Sequence, residues 1–478
     1  MTSYNSNNIS FFGGVDRIAV LLYALLVFVG FMNIFSASYD ADLPFFAFQQ
    51  EFMKQLMWMG ISLVAAVIVL LLDSRLYHMY AYYIYIGALL MLLLPFTPIG
   101  REVNGARAWI GLGSISLQPA EFAKIATTLA VARLMSAYSF SIKSLQGLIN
   151  VGVILFLPFA IIVLQNDMGS GLVMSSFLLV LYREGLNKWI CIPLVMVIVL
   201  FVCSFLYTPL FLVSILFWTF VLCSAMMTRQ WQLCVRFGAL VCLGAVLLYS
   251  ISFLWLDGLF DGYLSLLISI GVGFVVAVIY AWRTNIASLF LMLILFLGSM
   301  LFVPTADKIF SSMQPHQQER MLSFLGLQPD HSHVVMSKTA IGSGGLFGKG
   351  YMEGTLIKNH YVSEHHTDFI FIFCTVSEEW GFLGVLVVMG LLCAFIYRII
   401  HIGERQQEPF GRIYCYGLAS VLLFHVLVNI GMTTGLMPVI GIPLPFLSYG
   451  GSSLLAFTIF VAVALRLDAS PQKISAYH

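Results

Sequence analysis

RIAVLLYALLVFVGFMNIF, residues 17 to 35, has its only charge at its first position and is otherwise apolar but for Asn33. An α-helix rises about 1.5 Å per residue, so roughly 20 such residues cross the hydrocarbon layer of a bilayer. Runs of the same kind begin near Gln55, His78, Gln118, Gly147 and Gly169. They continue over 189–207, 209–227, 233–254, 263–282 and 286–303, and the last three start at Phe369, Arg412 and Phe446. Of the 478 residues 60% are hydrophobic and 9% charged, with mean hydropathy +0.96, whereas a soluble domain carries about 25% charged residues. The sequence predicts an all-α, polytopic transmembrane helical bundle of about 14 spans.

Cytoplasmic loops of such proteins collect Lys and Arg. With the N-terminus inside, this count puts Arg17, Arg75, Lys143, Arg183, Lys188, Arg229, Arg283, Arg398, Arg405, Arg412, Arg466 and Lys473 on the inner side, with both termini cytoplasmic. The outer side receives 101–118, 165–169 and a long stretch, 304–367. Connections longer than about 15 residues are usually functional or disordered. The apolar pieces 321–325 and 334–341 and the glycines from 342 to 350 predict short surface helices joined by turns. A net charge of +1 gives no footprint for nucleic acid, and the eight cysteines show no metal or CxxC spacing. Met1 to Phe12 lacks the basic start of a cleavable signal peptide, so the first run is expected to be a retained span.

Four blocks on the predicted outer side are rich in polar residues, Gly and Pro. They are NGARAWIGLGSISLQPAEFAK, Asn104 to Lys124; QNDMGSG, Gln165 to Gly171; SKTAIGSGGLFGKG, Ser337 to Gly350, continuing through SEHHTDFIF to SEEWGFLG at Gly384; and MPVIGIPLPFLSYGGSS, Met437 to Ser453. In wording and order they resemble the shared motifs of the RodA/FtsW/SpoVE (SEDS) family, over roughly residues 13–185 and 286–466. The resemblance implies a ten-span core in two parts, 1–186 and 286–470, the second with the large extracytoplasmic loop 304–367. It also implies about four inserted spans within 187–285, an even number that keeps the later blocks outside. Ala108, Ala120 and Asn166 stand where the family usually has Arg, Ser and Pro. The wording of the last block is most like the elongation branch, RodA.

The resemblance further implies a peptidoglycan glycosyltransferase that polymerises lipid II into glycan strands on the outer face of the cytoplasmic membrane of a bacterium, for cell elongation and shape. Its substrates would be lipid II and undecaprenyl-pyrophosphate-linked glycan, and its partner a class B penicillin-binding protein, within membrane lipid. Such chemistry needs a carboxylate to take the acceptor hydroxyl's proton and cations or aimed donors for the diphosphate leaving group. Asp368 matches the family's essential Asp in TDFIF and is the candidate base, although an Asp before an apolar run is also an ordinary helix N-cap. Glu364 either supports it, with both holding a divalent cation (Mg or Mn), or is a solvated loop acid. Glu121 and Lys124, three apart on one helix face, either pair with each other or, for Lys124 with Arg107, contact the diphosphate.

Asp167, Arg320 and Lys338 complete the expected substrate-binding set, with Arg320 matching the Arg of the family's QxxR segment. Glu378 and Glu379 are adjacent within a span, point about 100° apart, and are expected to serve structure. The glycines around Lys349 read as turn formers, since the context of a nucleotide-binding loop is missing. The last block reads as a re-entrant cavity wall or a rigid turn. A lipid II flippase and a non-catalytic scaffold of the cell-wall synthesis complex are the rival functions; a flippase needs polar groups along a through-path, whereas the matched residues cluster toward the outer half.

Overall fold

Asp16 starts the first helix: its carboxylate accepts the Ala19 N–H at 2.8 Å, satisfying a donor that the helix itself cannot. The computed structural model of the protein describes residues 14–39, 44–46, 50–103, 105–112, 115–187, 196, 199–200, 203–204, 207–255, 260–284, 287–311, 313, 315–324, 333–354 and 371–470. The chain divides into two compact units, Met1–Leu186 with Gly326–His478, and Asn187–Leu325.

In the first unit α1 (Arg17–Ser38), α2 (Glu51–Leu71) and α3 (Ser74–Leu93) precede a three-stranded sheet, β1 (Gly100–Val103), β2 (Ala106–Leu112) and β3 (Ile115–Leu117). Then come α4 (Pro119–Met135), opened by a proline at its first position, α5 (Leu145–Leu164), α6 (Met168–Val173) and α7 (Phe177–Arg183). Five helices of the second unit, between Pro209 and Phe324, intervene in sequence among the described residues. The first unit resumes with α13 (His333–Ser343), α14 (Ile372–Glu404), α15 (Pro409–Thr433) and α16 (Gly451–Ala469). Leu63, Val64, Phe156 and Leu386 are exposed on their helices, while Glu121, Lys124, Glu378, His425 and Asn429 are buried. Apolar outside and polar inside is the arrangement expected when hydrocarbon is the solvent.

The sheet departs from the all-α expectation. It is an antiparallel meander in the order β1-β2-β3, pairing Arg101 with Trp109 and Gly111 with Ser116. Along β2, Arg107 is exposed while Ala108 and Ile110 are buried, the two-residue alternation of a half-buried strand. A reading tuned to 20-residue apolar runs passes over so short a pattern.

Among the described residues ten helices are long and apolar enough to cross a membrane. The other four expected runs correspond to α4, which has 17 residues; to the short apolar stretch Met168–Arg183; to 189–207, largely outside the described residues; and to Met292–Val303. The last span begins at Gly451 rather than Phe446, because 441–450 is not helical.

One end of the first unit is sewn together by charge. Asp16 pairs with Arg398 at 2.7 Å and Arg405 at 2.8 Å, Arg405 also holds Asp468, and Arg412 pairs with Glu184 at 2.9 Å. The start of α1 and the ends of α14 and α16 therefore share one face. Burial pushes the Asp16 carboxyl up, but the Arg398 guanidinium, the Ala19 N–H and the charge of Arg405 outweigh it, so the group titrates below its usual range. Its stabilisation is present above the usual value of 3.8 and is lost as pH falls through the lower folded value. Asp16→Asn is expected to lower the Tm in detergent at neutral pH, with the gap to wild type closing as acid protonates Asp16; a constant gap would contradict this assignment.

The second unit consists of α8 (Pro209–Thr228), α9 (Trp231–Trp255), α10 (Gly262–Thr284), α11 (Ala287–Ser311) and α12 (Pro315–Phe324). Its core joins Val213, Phe217, Val221, Val241, Ile270 and Leu293, with Phe220 stacked on Phe296 at 4.6 Å. At the start of the expected outer stretch, α11 continues through Pro304 to Ser311. The short helices expected around 321–325 and 334–341 are present as α12 and α13.

Candidate active site

His425, Asn429 and Thr433 recur every four residues along α15 and so form one stripe, each of them 1% exposed or less. The stripe faces the irregular segment after the helix. His425 Nδ1 lies 3.1 Å from the Pro443 carbonyl oxygen, and Asn429 Nδ2 donates to the Ile442 oxygen at 2.8 Å. Within the segment Ser448 Oγ accepts the Leu444 N–H at 2.8 Å, and the Ser448 N–H donates to the Leu444 oxygen at 3.0 Å. Phe446, at φ 66°, is held among Tyr23, Phe395 and Phe457, and Gly30 of α1 lies so close that a Cβ there would overlap the Phe446 oxygen. A non-glycine residue in that conformation costs about 1–3 kcal/mol and persists only where its surroundings fix it.

The first block reaches this segment through Lys124. Its Nζ lies 2.8 Å from Glu121 Oε2, in an ion pair without an aligned hydrogen bond, 2.9 Å from His425 Nε2 and 5.2 Å from the centre of the Phe457 ring. The second block is tied to the first. The Arg107 N–H donates to the Gln165 oxygen at 2.9 Å, while Gln118 Nε2 donates to Asp167 Oδ2 at 2.7 Å and to Ser170 Oγ at 3.1 Å. Asp167 also caps α6 by accepting the Ser170 N–H at 3.0 Å. Gly169 abuts Ile440 of the last block. Arg107 itself is exposed, with its guanidinium on the Thr97 oxygen at 3.3 Å. Ala108 and Ala120 are both fully buried.

The third block meets the others at a break in α14. Gly381 has φ 65° and ψ −164°, which interrupts the helix, and residues 344–350 bond the backbone around it. Lys349 N–H donates to the Glu378 oxygen at 2.9 Å, Gly350 N–H to the Glu379 oxygen at 3.1 Å, and Phe382 N–H to the Gly345 oxygen at 2.9 Å. Lys349 Nζ pairs with the fully buried Glu378 at 2.6 Å, whereas Glu379 accepts from Ser36 of α1. Both acids are thus held by neighbouring elements, as a structural role requires. Ser337 donates to the Thr433 oxygen, and Ala340, Phe371 and Cys374 pack with Val439.

All four blocks therefore converge on residues 437–450. Of the expected site residues, Glu121 and Lys124 pair with each other, Asp167 is bonded by Gln118 just before the same helix, Arg107 is exposed with its guanidinium on the Thr97 oxygen, and Lys338 is exposed on α13. Arg320 belongs to the other unit, half-buried on α12, where burial pushes its guanidinium pKa down. Asp368, Glu364, His365 and His366 lie outside the described residues, and the cap position of α14 is held by Phe371. Among the described residues no three His, Cys, Asp or Glu side chains form a metal-holding cluster. His425 and Asn429 escaped the sequence reading; their signal was two polar residues four apart inside an apolar run.

Fold and site together define a multi-pass membrane protein whose polar core is assembled from four separate sequence blocks. A model of the FtsW/RodA/SpoVE family, described as cell cycle protein, matches residues 16–216 and 262–473. The chain belongs to this family. The peptidoglycan glycosyltransferase RodA of Treponema pallidum is 30% identical over 471 residues, covering 96% of this chain and 98% of that protein. The peptidoglycan glycosyltransferase MrdB of Escherichia coli K12 is 28% identical over 421 residues, covering 87% and 85%. A solved chain of a peptidoglycan synthase complex that coordinates polymerization and crosslinking shares the fold, with TM-score 0.59 at 24% identity over 95% of this chain and 98% of that one.

Two sets of substitutions check this geometry. Lys124→Met leaves the buried Glu121 uncompensated and is expected to cost about 3–5 kcal/mol, more than the double variant Glu121→Leu/Lys124→Met, as read by thermal unfolding in detergent. Asn166 sits at φ 61°, which proline's ring forbids, so the family's usual Pro cannot occupy this turn as it stands. Asn166→Pro should therefore lower the Tm by several degrees and Asn166→Gly should leave it nearly unchanged; the reverse order would show that the turn is not strained in this way.

Proposed function

We propose that this chain is a peptidoglycan glycosyltransferase that polymerises lipid II on the outer face of the cytoplasmic membrane, in the elongation branch of its family. The observation that carries this reading is 30% identity to a peptidoglycan glycosyltransferase RodA along 98% of that protein's length. The convergence of the four blocks on one polar region supports it.

In this reading the acceptor sugar hydroxyl loses its proton to Asp368 as it attacks the carbon that carries the diphosphate, and the bond to the diphosphate breaks. Arg107 and Lys124 meet the departing charge. Glu121 and Asp167, each engaged with a neighbour, keep the binding region ordered, and Lys338 completes the contacts to substrate made within this unit. A divalent cation held by Glu364 and Asp368 belongs to the same reading. So does a topology of fourteen spans with cytoplasmic termini; the shared face of Asp16, Arg398, Arg405 and Asp468 supports an inner side rich in Arg. The stretch 217–261, which the family model leaves unmatched, supports inserted spans within 187–285. The partner is a class B penicillin-binding protein, a reading supported by the shared fold with a chain of a synthase complex.

Purified protein, combined with its transpeptidase partner and lipid II, is expected to yield glycan polymer on a gel. Loss of a positioned base typically costs about 10² to 10⁴ in rate, so Asp368→Asn should give no detectable polymer while inserting normally, and EDTA should suppress the wild-type reaction. Wild-type polymer yield from Asp368→Asn would remove the mechanism. Movement of labelled lipid II across vesicles without polymer would show a flippase instead.

A further inference from the structure

The proton on one buried imidazole is assigned by the groups it faces. His425 Nδ1 lies 3.1 Å from the Pro443 carbonyl oxygen, which only accepts, so Nδ1 carries the hydrogen. Nε2 lies 2.9 Å from Lys124 Nζ, an ammonium with three donors and no acceptor, so Nε2 presents its lone pair. The ring is a neutral Nδ1–H tautomer, and the backbone of the last block sets it. An edge-to-face contact with Phe457 at 5.0 Å fixes the ring plane.

Lys124 is thereby held from three sides: by Glu121 on its own helix, by His425 on α15 and by the Phe457 face on α16. With one carboxylate, one ammonium and a neutral ring, the cluster balances its charge inside the bilayer. A lysine stem has four rotatable bonds, and Glu121 alone, three residues away, would draw Nζ back along α4. The acceptor on α15 is what keeps the ammonium extended toward the last block. His425 cannot act as a base here, because its lone pair is occupied by the ammonium.

We propose that His425 is a positioning residue for glycosyl transfer, holding the Lys124 ammonium in the direction from which it meets the diphosphate. The inference rests on the reading of Lys124 as a diphosphate contact. An amide has an acceptor and a donor spaced much like the two ring nitrogens, so Gln can make both bonds; Phe keeps the ring volume and the contact with Phe457 but makes neither.

The test compares His425→Gln, His425→Phe and His425→Met in the purified complex with lipid II, with kcat and KM normalised to folded protein by Tm and gel filtration. Gln is expected to retain kcat within about threefold, and Phe to lose at least tenfold in kcat at comparable Tm. Should Phe not fold, Met takes its place with the same expected loss. A Phe or Met variant that folds and turns over like Gln would overturn the proposal, and so would a Gln variant as impaired as Phe. Asp368→Asn in parallel separates the two readings: if it polymerises normally, the mechanism fails, whereas a dead Asp368→Asn beside an active Phe variant sinks only the role of His425.

Discussion

The non-helical and largely buried backbone of residues 437–450 must find hydrogen-bond partners inside the protein, because an apolar interior offers none. Each unpaired peptide group left in that environment costs several kcal/mol. The first unit meets this demand with side chains from one stripe of α15 and with a serine inside the segment itself. Those bonds determine where Pro443, Ile442 and Leu444 sit, and the remaining blocks are arranged around them. The buried Lys124 reaches the segment through His425, Gly169 and Gly30 approach it with no side chain between, and Val439 closes the contact with α13 and α14.

A second instance of the same constraint lies in α14. The break at Gly381 frees backbone groups, and backbone groups of residues 345–350 bond to them, with Lys349 paired to Glu378. The third block is thereby fastened to α14. Its glycines serve close approach of one backbone to another. Two adjacent buried acids are tolerated because each has a partner on a different element.

Much of the fold was legible because the bilayer imposes one length. Ten of the fourteen apolar runs correspond to long apolar helices, and the pairing of Glu121 with Lys124 follows from a three-residue spacing on one helix. The sheet at 100–117 was missed because its signal is a two-residue alternation over few residues, next to much longer apolar runs. The roles of His425 and Asn429 were missed because what they bond is backbone 13 to 18 residues away, and no local pattern encodes that distance. Asn166 looked like a mere departure from a motif, and its φ of 61° gives it a reason, since among residues with a side chain Asn tolerates that conformation best.

By itself the sequence determined that the bilayer is the solvent, which long segments are apolar enough to cross it, and which four blocks are rich in polar residues, Gly and Pro, because hydropathy and motif spelling are properties of the chain read in order. Only the tertiary structure decided that the four blocks meet at residues 437–450, that Arg320 belongs to a separate unit, and which groups face the two ring nitrogens of His425. The reason is that a contact between residues 301 positions apart, such as Lys124 with His425, depends on how helices pack, and packing is a property of all their faces at once.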